Sequence, residues 1–163
     1  NCTPFTDWTT LADDLVTVIS HVAPAAQWLL AGHSLGAVVA ALAAVKAPQR
    51  VARLVLVEPA IMPFALARAG GPPVNHMAVR AAARRPGFAD AHAARRAWAG
   101  RGVFADWSPA DLDAYVADAL LPGSLAALAC APAFEAMTFA AWSRDLETEL
   151  ARLAVPFVLV AAS

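Results

Sequence analysis

Three short apolar runs without polar alternation constrain this chain most: Trp28-Leu29-Leu30-Ala31, Leu54-Val55-Leu56-Val57 and Phe157-Val158-Leu159-Val160. A strand with one wet face alternates apolar and polar side chains, whereas a strand covered on both faces reads as a continuous apolar run. The first two runs are separated by one periodic segment, the spacing of a β-α-β unit. The second and third are separated by far more chain than one crossover helix needs. The pattern predicts an α/β fold: a parallel sheet with flanking helices on both faces and an inserted helical cap.

The remaining elements follow from breaks and periodicity. Thr10-Leu11-Ala12-Asp13 has capping-box spacing, with Asp in place of Glu. Leu11, Leu15, Val18, Ile19 and Val22 then recur on one helical face, and Pro24 closes the helix. Leu35 to Ala47 reads as the next helix, with Leu35, Val38, Val39 and Leu42 turned inward and Pro48 ending it. The expected division is a core of residues 1–60 and 153–163 and a cap of residues 61–152. Gly70-Gly71-Pro72-Pro73, Pro86-Gly87, Gly100-Arg101-Gly102 and Pro122-Gly123 break the cap into helices. Ser108-Pro109-Ala110-Asp111 is its clearest helix start: a serine cap, proline at the first position and an acid at the third. Trp98, Phe104, Trp107, Tyr115, Phe134, Met137, Phe139 and Trp142 all fall in this insertion. Most should pack the cap upon itself, and the rest suffice to line an apolar acyl or alkyl pocket.

Composition narrows the function classes. Charged residues make up 15% and the formal charge is −1, which leaves no concentrated basic surface for nucleic acid. Although 60% of residues are hydrophobic, no uninterrupted apolar stretch reaches the roughly 18 residues of a membrane span. Cys2 and Cys130 are too few and too far apart for a disulfide framework or a structural zinc site; one bridge or two thiols both stay open. No EF-hand, HExxH, P-loop or GxGxxG pattern occurs, and the expectation is no metal and no organic cofactor. The first residues show no signal-peptide pattern, which says little about export; the expected location is cytoplasmic, with a homodimer left open. The abrupt opening on Asn1-Cys2-Thr3-Pro4 and the stop just after a strand make both ends read as cut.

The chemistry concentrates at Gly32-His33-Ser34-Leu35-Gly36, directly after the first apolar run. A serine between two glycines where a strand gives way to a helix is the sequence form of a nucleophile elbow. An alcohol is a weak nucleophile at neutral pH and needs a base within hydrogen-bond reach. The Leu35 amide, in the first turn of the following helix, suits an oxyanion donor, and the helix N-terminus adds favourable potential. A side chain at Gly32 or Gly36 is expected to crowd the turn. The plainer alternative is a serine that merely caps the helix. His33 should point into the fold as a packed histidine, His21 is a surface or C-cap residue, and His76 and His92 lie in the cap. The base is therefore expected from outside these 163 residues.

The elbow, followed by Leu54-Val55-Leu56-Val57-Glu58-Pro59, resembles the α/β-hydrolase fold enzymes. Asp14-Leu15 before the elbow and Val155-Pro156-Phe157-Val158-Leu159-Val160 after the cap are similar to that family as well. The resemblance implies that the chain supplies the middle of the fold, without the early strands or the segment that carries the histidine. Glu58 stands at the C-terminal edge of its strand, where an open parallel sheet has its ligand crevice. In some members, certain haloalkane dehalogenases among them, the acid that orients histidine comes from this place. Three readings of Glu58 stay open: that acid, a hydrogen-bonding residue near the site, or a structural residue. An aspartate nucleophile is excluded because the elbow holds Ser34.

The expected activity is hydrolysis of a small apolar ester or related acyl compound through an acyl-enzyme on Ser34. Glu58 would serve as acid, Leu35 as oxyanion donor, and Trp98, Phe104 and Trp107 would contact substrate. Acyl transfer and carbon-carbon cleavage would use the same serine. A non-catalytic protein of this fold that binds an apolar ligand or partner is the alternative from another class.

Overall fold

The computed structural model describes residues 6–61, 75–123, 126–141 and 146–161. The chain forms two compact units, one containing residues 3–74 and 141–163 and the other containing Asn75–Ala140.

The first unit is built on a three-stranded parallel sheet of β1 (Trp28–His33), β2 (Val51–Val57) and β5 (Phe157–Val160), in the order β1-β2-β5. Leu30 lies opposite Leu54 and His33 opposite Val57, while Leu54 lies opposite Phe157 and Val57 opposite Val160. All three apolar runs thus pair in parallel, as their lack of alternation predicts. Helix α2 (Leu35–Lys46) returns the chain between β1 and β2 and packs on both, and α1 (Thr9–Val22) packs on α2.

Helix α2 is apolar nearly all round, which suits an element enclosed by its neighbours. Ala37, Ala40, Ala41, Ala43 and Ala44 are buried, and such small side chains let the helix axis approach the sheet closely. Val38, Leu42 and Leu54 are the largest side chains sealed from water here. The inward positions expected at Val38 and Leu42 are buried, while Leu35 and Val39 are half-buried. The short helix Leu146–Leu150 also joins this core through Leu146 and Leu150.

Three expectations need correction. Helix α1 starts at Thr9 without a Thr10 capping box; the Asp7 carboxylate instead accepts the Thr9 N–H at 2.8 Å, and Thr10 lies within the first turn. The Thr10 amide goes to the Asp7 carbonyl and the Leu11 and Ala12 amides to that of Trp8, so a cap at Thr10 has no orphan donor left to satisfy. Val18 and Val22 are exposed because Ala12, Leu15, Val16 and Ile19 form the face that meets the core. Neither β1 nor β5 is covered on both faces among the described residues: Leu29 and Ala31 of β1 and all four residues of β5 are exposed. Among the described residues each pairs with β2.

The second unit is mainly helical, with α3 (His76–Ala82), α4 (Ala91–Trp98), α5 (Pro109–Ala119) and α6 (Pro132–Ala140). The predicted cap at Ser108 is present: its hydroxyl accepts the Asp111 N–H at 3.2 Å and donates to the Asp111 carboxylate at 2.7 Å. Asn75 and Asp90 cap α3 and α4 in the same way. Arg84 bonds both Glu135 oxygens, tying the chain after α3 to α6. Arg95 of α4 pairs with Asp113 of α5, and that carboxylate raises the guanidinium pKa further.

The sequence pattern does not reveal the small antiparallel pairing of β3 (Gly87–Phe88) with β4 (Ala126–Ala127). Two-residue strands carry no period, and of these four residues only Phe88 favours β structure. Contact explains Gly87, since a Cβ there would stand 2.8 Å from the Ala126 oxygen. The breaks expected at Gly70 to Pro73 and the ring of Trp142 lie outside the described residues, as does Cys2, while Cys130 is exposed.

Removing core volume should separate enclosed from exposed positions. Leu42→Ala should lower the unfolding free energy by about 2–5 kcal/mol in urea titrations. Val103→Ala, at a side chain 75% exposed, should stay within about 0.5 kcal/mol.

Candidate active site

The strands end where the chemistry-bearing residues begin. Ser34 follows β1 and Glu58 follows β2, so both stand at the C-terminal edge of the sheet. That edge is where ligands enter open parallel sheets.

Ser34 has φ 53° and ψ −120°, the dihedrals of the first corner of a type II′ turn. A non-glycine residue held there costs about 1–3 kcal/mol and persists only where its surroundings impose it. The imposition is visible in the main chain. The Ser34 N–H donates to the Val57 oxygen at 2.9 Å, carrying the β1–β2 ladder one residue past the strand. Its carbonyl accepts from Ala37 at 3.2 Å, Val38 at 3.4 Å and Ala60 at 3.2 Å. The hydroxyl makes no capping hydrogen bond to α2. An ordinary N-cap serine sits in extended backbone and accepts an amide with its side chain. Ser34 does neither.

A helix start leaves four amides without intrahelical acceptors. In α2 the Ala37 and Val38 amides go to the Ser34 carbonyl. Leu35 and Gly36 are then the amides left over there among the described residues. The Leu35 N–H, next to the serine and at the positive end of the helix, has the chemistry of an oxyanion donor.

The two glycines differ, contrary to the expectation that both relieve crowding. A Cβ on Gly32 would lie 2.3 Å from the Gly36 oxygen and 2.5 Å from the Ala37 nitrogen. On Gly36 it would meet nothing within 4 Å. The close approach runs from the strand Cα to the helix backbone, so only the strand glycine needs to lack a side chain. His33 is exposed rather than packed into the fold. It is the last residue of β1, and side chains at the end of a strand outrun the helices that cover its middle.

Glu58 is exposed, with φ 46°, and its N–H donates to the Val160 oxygen at 2.8 Å. Main-chain bonds therefore connect Ser34, Leu35 and Glu58 in one unit. Trp98, Phe104 and Trp107 belong to the other. There they form one cluster with Phe88 and Tyr115, centroids 5.0–5.6 Å apart. Gly100 at φ 66° and Gly102 at φ 55° make the turn between Trp98 and Phe104. Phe104 is buried, whereas Trp107 is 42% exposed. Trp107 and Tyr115 border a groove of about 790 Å³ whose walls also carry Asp106, Asp111 and Asp118. Its mixed lining differs from the apolar pocket expected of the insertion. The sheet unit holds an apolar cavity of about 250 Å³ lined by Val38, Leu56, Pro59 and Leu159 among others. Sequence patterning gave no sign of it, because it arises where α2, β2 and β5 meet.

A parallel sheet with an inserted helical region, whose first strand ends in a left-handed serine at a helix start, defines the α/β-hydrolase class. The chain belongs to the family described as serine aminopeptidase, S33, whose model matches residues 3–163. That family consists of α/β-hydrolase-fold enzymes of the serine-hydrolase type. No curated protein matches the chain.

Solved structures share the fold. The chain is similar to E-2-(acetamidomethylene)succinate hydrolase, with TM-score 0.64 and 22% identity over 98% of this chain and 67% of that one. A peroxisomal α/β-hydrolase from Saccharomyces cerevisiae gives TM-score 0.64 and 13% identity over 99% of this chain and 53% of that one. A thermophilic esterase from Thermogutta terrifontis gives TM-score 0.57 and 20% identity over 99% and 56%. The chain thus spans between about half and two thirds of the length of these structures. Among the described residues no helix is long and apolar enough to cross a membrane.

The glycine contrast is directly measurable. Gly32→Ala should cost at least about 1–3 kcal/mol of stability, because the backbone it would strike cannot rotate away. Gly36→Ala should be neutral or stabilising by up to about 1 kcal/mol, since it sits in helix with open space around it. Thermal unfolding of the two variants reads this difference.

Proposed function

We propose that this chain carries the nucleophile of a serine hydrolase acting on a small apolar ester or related acyl compound. The observation that carries the reading is the Ser34 conformation: a strained left-handed serine at a helix start whose hydroxyl does not cap the helix.

In this proposal the Ser34 oxygen attacks the substrate carbonyl and gives its proton to a histidine supplied from outside these residues. The carbonyl oxygen gains charge as the tetrahedral intermediate forms, and the Leu35 N–H donates to it. Collapse expels the alcohol, protonated by the same histidine, and leaves an acyl-enzyme that water hydrolyses. The Glu58 carboxylate, at the same sheet edge, would hold the imidazole in the tautomer that accepts the serine proton. Within the span 61–152, the helical unit Asn75–Ala140 would act as a cap whose Trp98, Phe104 and Trp107 contact the acyl group. The exposed ring of Trp107 beside a glycine-permitted turn supports its part in that role. Phe104, being buried, would act chiefly by holding Trp107.

Two experiments test this in the intact protein. A fluorophosphonate probe should label the wild type and fail to label Ser34→Ala; persistent labelling of the variant would place the nucleophile elsewhere. Trp107→Ala should lower kcat/KM for bulky acyl esters about tenfold more than for acetyl esters, a difference near 1.4 kcal/mol. Equal losses that track a fall in Tm would reduce Trp107 to a packing residue.

A further inference from the structure

Ser34 and Glu58 are the non-glycine residues with positive φ among the described residues, at 53° and 46°. They occupy equivalent positions, because the β1–β2 register sets His33 opposite Val57 and each serves as the last residue of its strand. Each also extends its ladder by one bond, from the Ser34 N–H to the Val57 oxygen and from the Glu58 N–H to the Val160 oxygen. Glu58 precedes proline, a position that normally takes extended backbone with negative φ. Its left-handed turn is therefore held by the surroundings, as that of Ser34 is.

The turn leads to one contact. After Glu58 and Pro59, the Ala60 N–H reaches the Ser34 carbonyl at 3.2 Å. The other two amides on that oxygen, Ala37 and Val38, come from α2 itself. Ala60 is the donor that approaches from β2. The Ser34 carbonyl and the Leu35 N–H belong to one planar peptide group and point in opposite directions. Whatever fixes the first aims the second.

We infer that the turn Glu58-Pro59-Ala60 is a positioning device for the reaction: through the Ala60 bond to the Ser34 carbonyl it aims the Leu35 N–H. The inference rests on the serine-hydrolase reading and deepens it. It makes Glu58 a positioning residue through its backbone conformation, separately from any service of its carboxylate. A misaimed donor weakens stabilisation of the oxyanion while leaving ground-state binding of an apolar acyl group intact.

Glu58→Gly and Glu58→Val separate these contributions, because both remove the carboxylate but only glycine accepts positive φ without strain. In the intact protein, kcat of Glu58→Val should fall roughly tenfold to a hundredfold below that of Glu58→Gly, less than the roughly hundredfold to thousandfold lost when an oxyanion donor is removed outright. KM should agree between the two, and affinity for a trifluoromethyl ketone, which forms the tetrahedral adduct, should fall in step with kcat. Amide exchange at Ala60 should be faster in Glu58→Val than in Glu58→Gly. Equal kcat and equal exchange in the two variants would overturn the inference while wild-type labelling at Ser34 leaves the hydrolase reading standing. A wild type that is not labelled at Ser34 would overturn both. Should Glu58→Val not fold, Ala60→Pro removes the donor while leaving the Glu58 side chain in place. A loss of kcat at constant KM in that variant supports the device, and wild-type kcat overturns it.

Discussion

The contact on which the sheet unit turns is the approach of the Gly32 Cα to the backbone of Gly36 and Ala37. No side chain fits between them, since a Cβ at Gly32 would stand 2.3 Å from the Gly36 oxygen. Without that approach, α2 could not start so close to the end of β1. The return helix would then sit further from the sheet that it covers. The same tightness leaves one residue, Ser34, to reverse the chain, and it does so in a backbone region that serine ordinarily avoids. The alanines of α2 continue the logic away from the turn, letting the helix lie close along β1 and β2.

Strain at the turn is balanced by bonds from three directions. Val57 holds the Ser34 N–H, α2 supplies two amides to its carbonyl, and Ala60 supplies a third. These are main-chain groups, so the geometry depends on register and dihedral angles more than on side-chain identity. The side chain of Ser34 is left outside this arrangement. A hydroxyl with no capping duty beside a helix N-terminus is suited to reaction, which joins the packing of the sheet to the proposed chemistry.

Much of the candidate site was legible from the chain alone. The strands, the return helix and the serine between them follow from apolar runs and a glycine pair, because local sterics and burial act through neighbours in sequence. Less legible was which glycine mattered, since Gly32 and Gly36 look equivalent until the strand and helix are placed together. His33, beside the nucleophile, reads as a histidine packed into the fold, yet it ends β1 and is exposed. The Thr10 capping box failed for a related reason: several polar residues near a helix start compete, and Asp7 reached the amide first.

Sequence by itself determined the parallel α/β class, the helical character of the insertion, the serine cap at Ser108 and the position of Ser34. Each depends on period, on burial pattern or on a residue type with a strong local preference. Tertiary structure alone decided the left-handed turn at Glu58 and the bond from Ala60 back to Ser34. It also decided the pairing of Gly87-Phe88 with Ala126-Ala127 and the exposure of Leu29 in β1. These depend on which distant segments meet and in what register. A chain encodes that through the sum of many weak contacts, and no short pattern displays it.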